Sequence, residues 1–250
     1  MSEESNNFIN QLKKYNEEHY SKDIYVPSLE RTVKFSTLTA KHQKDIIHAT
    51  LDNPLLKLIF HEKVYTIIKG LCSESQFVDS FTIFDKDAIL LQLRYYYVSK
   101  EYDGKDMSPI IEYIKNMKLD LTPNIDEEDG IRIQFKIPSI LDERKILKEY
   151  SKNNTVSISP SNEDEIRSSV SDVYVMEIIK YVHKVQLIEN DAVVDFTKHT
   201  YSENYKVVEM LGKLVCDKIH KFINETRNTY KGMYWVDDDT EIDINVSLFN

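Results

Sequence analysis

Histidine is the residue type of this chain best suited to metal chemistry, and seven histidines are present. His61-Glu62 begins the HExxH pattern, in which two histidines one helical turn apart bind zinc. Tyr65 stands where the second histidine is required, so the pattern is incomplete. The remaining histidines lack a paired spacing that suits zinc; they are His19, His42, His48, His183, His199 and His220. The sequence therefore predicts no metal site.

Cysteine is the residue type best suited to nucleophilic catalysis, and the chain has two cysteines, Cys72 and Cys216. They are far apart, neither belongs to a CxxC pair, and both lie in apolar helical patterns. We therefore expect buried, reduced thiols and no disulfide. An enzyme with an unrecognised Cys/His site is retained as an alternative hypothesis.

Motifs for phosphate and calcium binding are also missing. The chain has five glycines and they do not cluster, so it has no glycine-rich phosphate loop. The acidic run at residues 237–243 lacks the central glycine and the distal glutamate of a calcium loop. We expect this run to form a solvated turn. The sequence thus predicts no catalytic residue and no cofactor.

The overall charge limits the classes of partner. The formal net charge is −10, and no basic block interrupts it. An acidic chain is repelled by nucleic-acid phosphates and by anionic lipid, so we expect neither as a partner. No apolar stretch approaches the ~20 residues of a membrane span, and the polar N-terminus does not resemble a secretory signal. We expect a soluble protein that is made in the cytoplasm and not secreted.

Hydrophobic periodicity assigns most of the chain to helices, because apolar residues recur at steps of three and four. The predicted helices cover residues 5–20, 40–51, 54–70, 85–97, 108–117, 140–150, 172–184 and 200–229. Thr200 and Glu203 form a capping-box pattern at the start of the last helix. The positions predicted to lie in the core are Leu55, Ile59, Leu93, Leu211, Val215 and Ile219.

Strand patterns are shorter and fewer. The clearest is Ile131–Ile137, where apolar and polar residues alternate, and Leu119 and Leu121 are its predicted hairpin partner. β-type patterns also occur in 23–38, in a hairpin within 185–196, and in the tail 241–249. The predicted class is α+β, mostly helical with short antiparallel strands or hairpins.

A Ser- and Asn-rich segment, residues 151–162, is the best linker candidate. It divides the chain into an N-terminal α+β region, residues 1–150, and a C-terminal region, residues 163–250. We expect the C-terminal region to be helical with a terminal strand.

The stretch from Tyr25 to Lys44 resembles the N-terminal signature of the baseplate hub proteins of T4-like contractile-tailed phages. It runs Tyr-Val-Pro-Ser-Leu-Glu-Arg-Thr-Val-Lys-Phe-Ser-Thr-Leu-Thr and continues directly into Ala40-Lys41-His42-Gln43-Lys44 and an apolar helix. The segment from Phe84 to Arg94 is similar to a second landmark of the family, and the ending from Ile242 to Phe249 is similar to a third. The resemblance covers residues 25–98 and, more loosely, the last 50 residues. Residues 100–170 match no part of the family.

Membership of that family would imply a hub subunit or a hub assembly catalyst, a chaperone-like factor. The expected partners are other proteins of the phage tail and baseplate hub, with the tape-measure protein among the candidates. The expected locations are the host cell cytoplasm during assembly and the baseplate of the virion tail. A host-protein-binding adaptor is a further alternative, and the oligomeric state is left open.

The two ends of the chain are the candidate interaction segments, since both have β-type patterns with features of edge strands. Such segments either close the fold or add to a sheet in a partner. Our hypothesis is that the tail anchors the fold and that apolar helical surface holds the partner. The candidate residues are Tyr25, Val26, Pro27, Leu29, Val33, Phe35, Ile242, Ile244, Leu248 and Phe249.

Overall fold

A computed structural model describes residues 3–48, 56–153, 163–244 and 248, and it confirms the predicted α+β class. Its helices are α1 Glu3–Tyr20, α2 Ala40–His48, α3 Leu56–Leu71, α4 Ile83–Tyr97, α5 Ser108–Asn116, α6 Ile140–Asn153, α7 Glu163–Tyr181, α8 Tyr201–Glu209 and α9 Lys213–Thr229. Its strands are β1 Lys22–Val26, β2 Arg31–Phe35, β3 Glu101–Tyr102, β4 Lys105–Asp106, β5 Ile125–Glu128, β6 Ile131–Phe135, β7 Val182–Leu187, β8 Val193–Asp195, β9 Trp235–Asp237 and β10 Thr240–Glu241.

The strands form small antiparallel sheets. A four-stranded sheet has the order β5-β6-β7-β8, and β1–β2, β3–β4 and β9–β10 are separate two-stranded pairs. Asp129 and Gly130 join β5 to β6 with positive φ values of 50° and 74°. A two-residue Asp-Gly turn of this kind matches the twist of the flanking strands, which explains the tight hairpin. Ile133 and Phe135 on β6 are buried, as the alternating pattern predicted.

Two compact units make up the chain. The first contains residues 1–52, 59–119 and 232–250; the second contains 53–58 and 120–231. This division differs from the predicted regions 1–150 and 163–250, because β6 pairs with β7 across the predicted linker and unites both sides of it in one sheet. Residues 151–153 of that linker end α6, and 154–162 lie outside the described residues.

The predicted partner of the 131–137 strand was wrong. β6 pairs with β5, which is formed by the acidic segment Ile125–Glu128, and on its other side with β7. Leu119 and Leu121 lie outside the strands. The turn is Asp129-Gly130 alone, so the acidic residues before it are free to extend.

The predicted helix over 200–229 is interrupted. α8 ends at Glu209 and α9 begins at Lys213, with Gly212 in an extended conformation at the start of α9. Glycine is a poor helix residue, which accounts for a break at this point. The capping box at Thr200 and Glu203 is confirmed.

The helix predicted to end at residue 184 gives way to a strand three residues earlier. α7 ends at Tyr181, and β7 begins at Val182, where backbone pairing with β6 replaces the helical hydrogen bonds. β7 and β8 form the hairpin that the sequence predicted within 185–196.

The predicted core is partly confirmed. Leu93, Val215 and Ile219 are buried, whereas Leu211 is half-buried because it lies in the turn between α8 and α9. Leu55 and the side chain of Ile59 lie outside the described residues.

Candidate functional site

The N-terminal candidate segment forms the β1–β2 hairpin of the first unit. Val26, Pro27, Val33 and Phe35 are buried there. Tyr25 and Leu29 are half-buried. A 3-10 turn at Pro27–Leu29 connects the two strands. Most of these apolar side chains therefore belong to the core and not to an open surface.

The free edge of β1 is covered by a side chain of α4. The Tyr25 N–H donates to Gln92 Oε1 at 3.0 Å, and Gln92 Nε2 donates to the Tyr25 carbonyl at 2.8 Å. The Gln92 amide thus makes the two bonds that a neighbouring strand would make at this position. Gln92 is fully buried, which keeps water from competing for these bonds.

The outer edge of β2 is covered at its C-terminal end. The Ser73 N–H donates to the Lys34 carbonyl at 2.9 Å, and the Ser36 N–H donates to the Leu71 carbonyl at 2.9 Å. Phe35 and Cys72 form an isolated antiparallel bridge between these two bonds. The hairpin therefore has backbone or side-chain partners on both edges within its own unit.

The connection between β1 and β2 is held by a buried carboxylate. Asp85 accepts hydrogen bonds from the Ser28 N–H at 2.8 Å and from the Thr82 N–H at 2.7 Å. The Thr82 hydroxyl caps α4 in return by accepting from the Asp85 N–H, which completes a capping box. Burial raises the pKa of Asp85 against the opposing effect of these hydrogen bonds.

Other polar residues of α4 hold further segments of the unit. Lys86 Nζ lies 3.2 Å from His61 Nδ1, and Asp87 accepts a hydrogen bond from the Tyr234 hydroxyl at 2.7 Å. Arg94 donates to the carbonyls of Ser99 at 3.0 Å and Glu101 at 2.6 Å. α4 is thus an organising helix, and these contacts give its charged residues structural roles.

Sequence reasoning missed this arrangement. Thr82 and Asp85 show the spacing of a capping box, a signal that was available in the sequence. Nothing comparable marks Gln92 or Lys86, because the pairing of a helix side chain with a distant strand leaves no local pattern. Arg94 lies in the last turn of α4 and bonds to the following loop.

The C-terminal candidate segment packs within the first unit. Ile242 and Leu248 are buried, Ile244 is half-buried, and Phe249 lies outside the described residues. The Ile242 N–H donates to the Tyr234 carbonyl at 2.6 Å. Of the strand predicted over 241–249, Glu241 is the one described residue in a strand, β10; Ile242 has left the ladder and Ile244 is in a bend.

The acidic run near this tail is tied to a lysine. Lys105 Nζ lies 2.6 Å from Asp237 and also donates to the Thr240 hydroxyl. An ammonium group in this position supplies the positive charge that a cation would bring. The described residues contain no group of three or more His, Cys, Asp and Glu side chains placed to hold a metal ion.

An edge of the second unit's sheet is also covered. Lys218 on α9 lies 2.9 Å from Asp126 and 3.0 Å from Glu128, and it donates to the Glu127 carbonyl at 3.0 Å. The residues of β5 therefore meet a helix side chain on their outer edge, as those of β1 do.

The two thiols are poorly suited to nucleophilic catalysis. Burial raises the pKa of Cys72 and of Cys216, so each thiol keeps its proton at neutral pH. A catalytic thiol needs the opposite shift. His220 lies one turn after Cys216 on α9, but burial lowers the pKa of that imidazole, which keeps it neutral.

An exposed apolar stripe of the first unit lies on α1. Phe8 is 65% exposed, Leu12 46% and Tyr15 50%. The pattern that predicted this helix also predicted an apolar face, and the structure leaves that face in solvent. The Tyr97 hydroxyl donates to the Tyr20 carbonyl at 2.7 Å, which attaches the C-terminal end of the helix.

Comparisons with protein-family models, with curated proteins and with solved structures give no match. Across the described parts of the chain, the helices lack the combination of length and hydropathy that spanning a membrane requires.

Proposed function

We propose that this protein works by binding other proteins, as a phage tail baseplate hub component or as a chaperone-like factor in contractile tail assembly. The observation that carries the binding role is the exposed stripe of Phe8, Leu12 and Tyr15 on α1. Contiguous apolar side chains left in water are typical of protein interaction sites. The resemblance of residues 25–98 to the hub family supports the choice of partner class.

Strand addition is a weaker mode of binding for this chain. The backbone of Tyr25 is bonded to Gln92, and that of Lys34 to Ser73, so these edges offer few free groups to a partner. Lys218 covers part of the β5 edge in the same way. Helix packing through α1 is therefore the mode that the surface favours.

A cysteine enzyme is the second candidate function, and the thiols argue against it. Both have a pKa raised by burial, so neither resembles an activated nucleophile. A hydrolase assay on the purified chain with a thiol-blocking reagent tests this alternative. Turnover that the reagent abolishes would favour the enzyme over the binding protein.

Co-expression with the products of the adjoining genes tests the proposed function. We expect a stoichiometric complex with a tail or tape-measure protein, detected by size-exclusion chromatography with light scattering. A chain that elutes alone in every combination would overturn the proposal. A stable complex only with host proteins would favour the adaptor alternative instead.

A further inference from the structure

The stripe on α1 has the spacing of a coiled-coil seam. Phe8, Leu12, Tyr15 and His19 follow one another at steps of four, three and four residues. Steps of this kind keep side chains on one narrow line of a helix, which is the pattern that packs against one other helix. The flanking Gln11 and Glu18 are polar and exposed, so the apolar surface does not widen on that side.

α1 is also a helix that gains little stability from its own unit. Its side chains from Ser5 to Tyr20 are exposed, apart from half-buried Asn16. An isolated helix of about this length is marginal in water, because few of its apolar side chains are removed from solvent. Packing the stripe against a second helix would supply the missing burial.

The charge of the chain decides between two kinds of second helix. A second copy of this chain also carries a net charge of −10, so two copies repel each other. Lys13 and Lys14 are on the sides of α1 away from the stripe, whereas Glu18 borders it. Glu18 already lies 3.9 Å from Lys14, so lysine or arginine beside the seam of the other helix would complement the net charge of the acidic chain.

We propose that α1 forms a two-helix coiled coil with a helix of a basic partner protein, whose apolar seam is flanked by Lys or Arg. This proposal rests on the proposed binding function and names the chemistry of the partner for that same surface.

Two synthetic peptides test the partner chemistry. Both are three-heptad helices with leucine at the seam; one carries lysine at the flanking positions and the other glutamate. Fluorescence anisotropy with the full chain should give binding of the lysine peptide at least ~10-fold tighter than that of the glutamate peptide. Equal binding of both peptides, or of neither, would overturn the proposal.

The variants Leu12→Asp and Asn10→Asp distinguish the effect of the apolar seam on peptide binding from the effect of overall charge. Each adds one negative charge, but Leu12 lies in the stripe and Asn10 on the opposite side of the helix. We expect Leu12→Asp to abolish binding of the lysine peptide and Asn10→Asp to preserve it. Retained binding in Leu12→Asp would mean that the peptide adheres by charge alone, and the proposal would fail.

Light scattering on the full chain tests whether a second copy of the chain packs against the α1 stripe. If the full chain is a dimer and the Leu12→Asp variant is a monomer, the stripe binds a second copy of this chain and the proposal of a basic partner fails. Failure of the coiled-coil proposal can also be told apart from failure of the proposed binding function. A tail-protein complex that persists in Leu12→Asp would leave the binding function standing while removing α1 as its site.

Discussion

The side-chain amide of Gln92 bonds to both backbone polar groups of Tyr25, accepting from its N–H at 3.0 Å and donating to its carbonyl at 2.8 Å. A helix residue thus takes the place of a third strand beside the β1–β2 hairpin. The arrangement satisfies an edge that would otherwise be open to another chain. It ties the β1–β2 hairpin to the core of its own unit.

Replacing Gln92 with alanine should destabilise the protein. The change leaves the Tyr25 N–H and carbonyl without these partners, and each unsatisfied buried group costs about 1–3 kcal/mol. Chemical denaturation measures the free energy of unfolding, with exposed Gln76→Ala as the matched control. Equal stability of the two variants would show that water replaces the Gln92 bonds without cost.

Replacing Asp85 with alanine should cost more than the equivalent change in an exposed capping box. Removal of the carboxylate leaves the Thr82 and Ser28 N–H groups without their acceptor, a loss of about 3 kcal/mol in a buried site. Glu203→Ala is the matched control, because Glu203 makes the same box with Thr200 on the surface. Thermal melts of both variants test the difference, and a similar fall in Tm for each would contradict it.

The sequence predicted elements well where periodicity is strong and local. α1 and α5 follow directly from their apolar spacing and from Pro109 near the start of α5. The packing of α4 was harder to predict, because the helix is buried on nearly all sides and has no polar face that shows which side meets the core. Its contacts with β1 and with Tyr234 connect residues that are distant in the chain.

The candidate site was predicted only in part. The apolar pattern at 24–35 identified β structure, which forms the β1–β2 hairpin, but pattern alone does not distinguish a strand that is covered from one that is open. Coverage depends on Gln92 and Ser73, which carry no strand signal. The tail was predicted as a longer strand because alternation continues past Glu241, whereas the Ile242 N–H is taken by the Tyr234 carbonyl.

Ile219→Ala should be strongly destabilising, and Leu214→Ala on the same helix should not. Ile219 is fully buried in α9, so its truncation leaves a cavity and costs about 2–5 kcal/mol. Leu214 is 55% exposed and loses much less contact. Urea denaturation of both variants measures the difference. A smaller loss in Ile219→Ala than in Leu214→Ala would invalidate the packing assigned to α9.

Acidification should destabilise the second unit in two stages. Burial lowers the pKa of His183 and His220 below 6.5, so the folded protein binds fewer protons than the unfolded chain. The resulting stability is present above pH 6.5 and is lost as the pH falls through the lower folded values. Burial acts to raise the pKa of Asp142 and Glu177, but Lys136 and Lys180 outweigh it, so a second loss begins below about pH 4.5.

Thermal melts between pH 7.5 and pH 5 at constant ionic strength measure the first stage. His220→Gln should flatten the dependence of Tm on pH, because the glutamine does not titrate. A wild-type Tm that rises on acidification across this interval would contradict the assigned direction.

Deleting residues 241–250 should destabilise the protein, because this segment contributes buried side chains to the first unit. Ile242 is 2% exposed and Leu248 is fully buried, so the deletion removes both from the core. The bond from the Ile242 N–H to the Tyr234 carbonyl is lost as well. We expect a clear fall in Tm, comparable to the cost of truncating a large core residue, about 2–5 kcal/mol.

Ile242→Ala and a deletion of residue 250 alone complete this experiment. The point variant should reproduce part of the fall in Tm, since it removes one of the two buried side chains without shortening the chain. The single-residue deletion should leave the Tm unchanged. If the protein without 241–250 melts like the full chain yet no longer binds the tail protein proposed as its partner, the segment is an interaction strand, and the anchoring role assigned to Ile242 and Leu248 is incorrect.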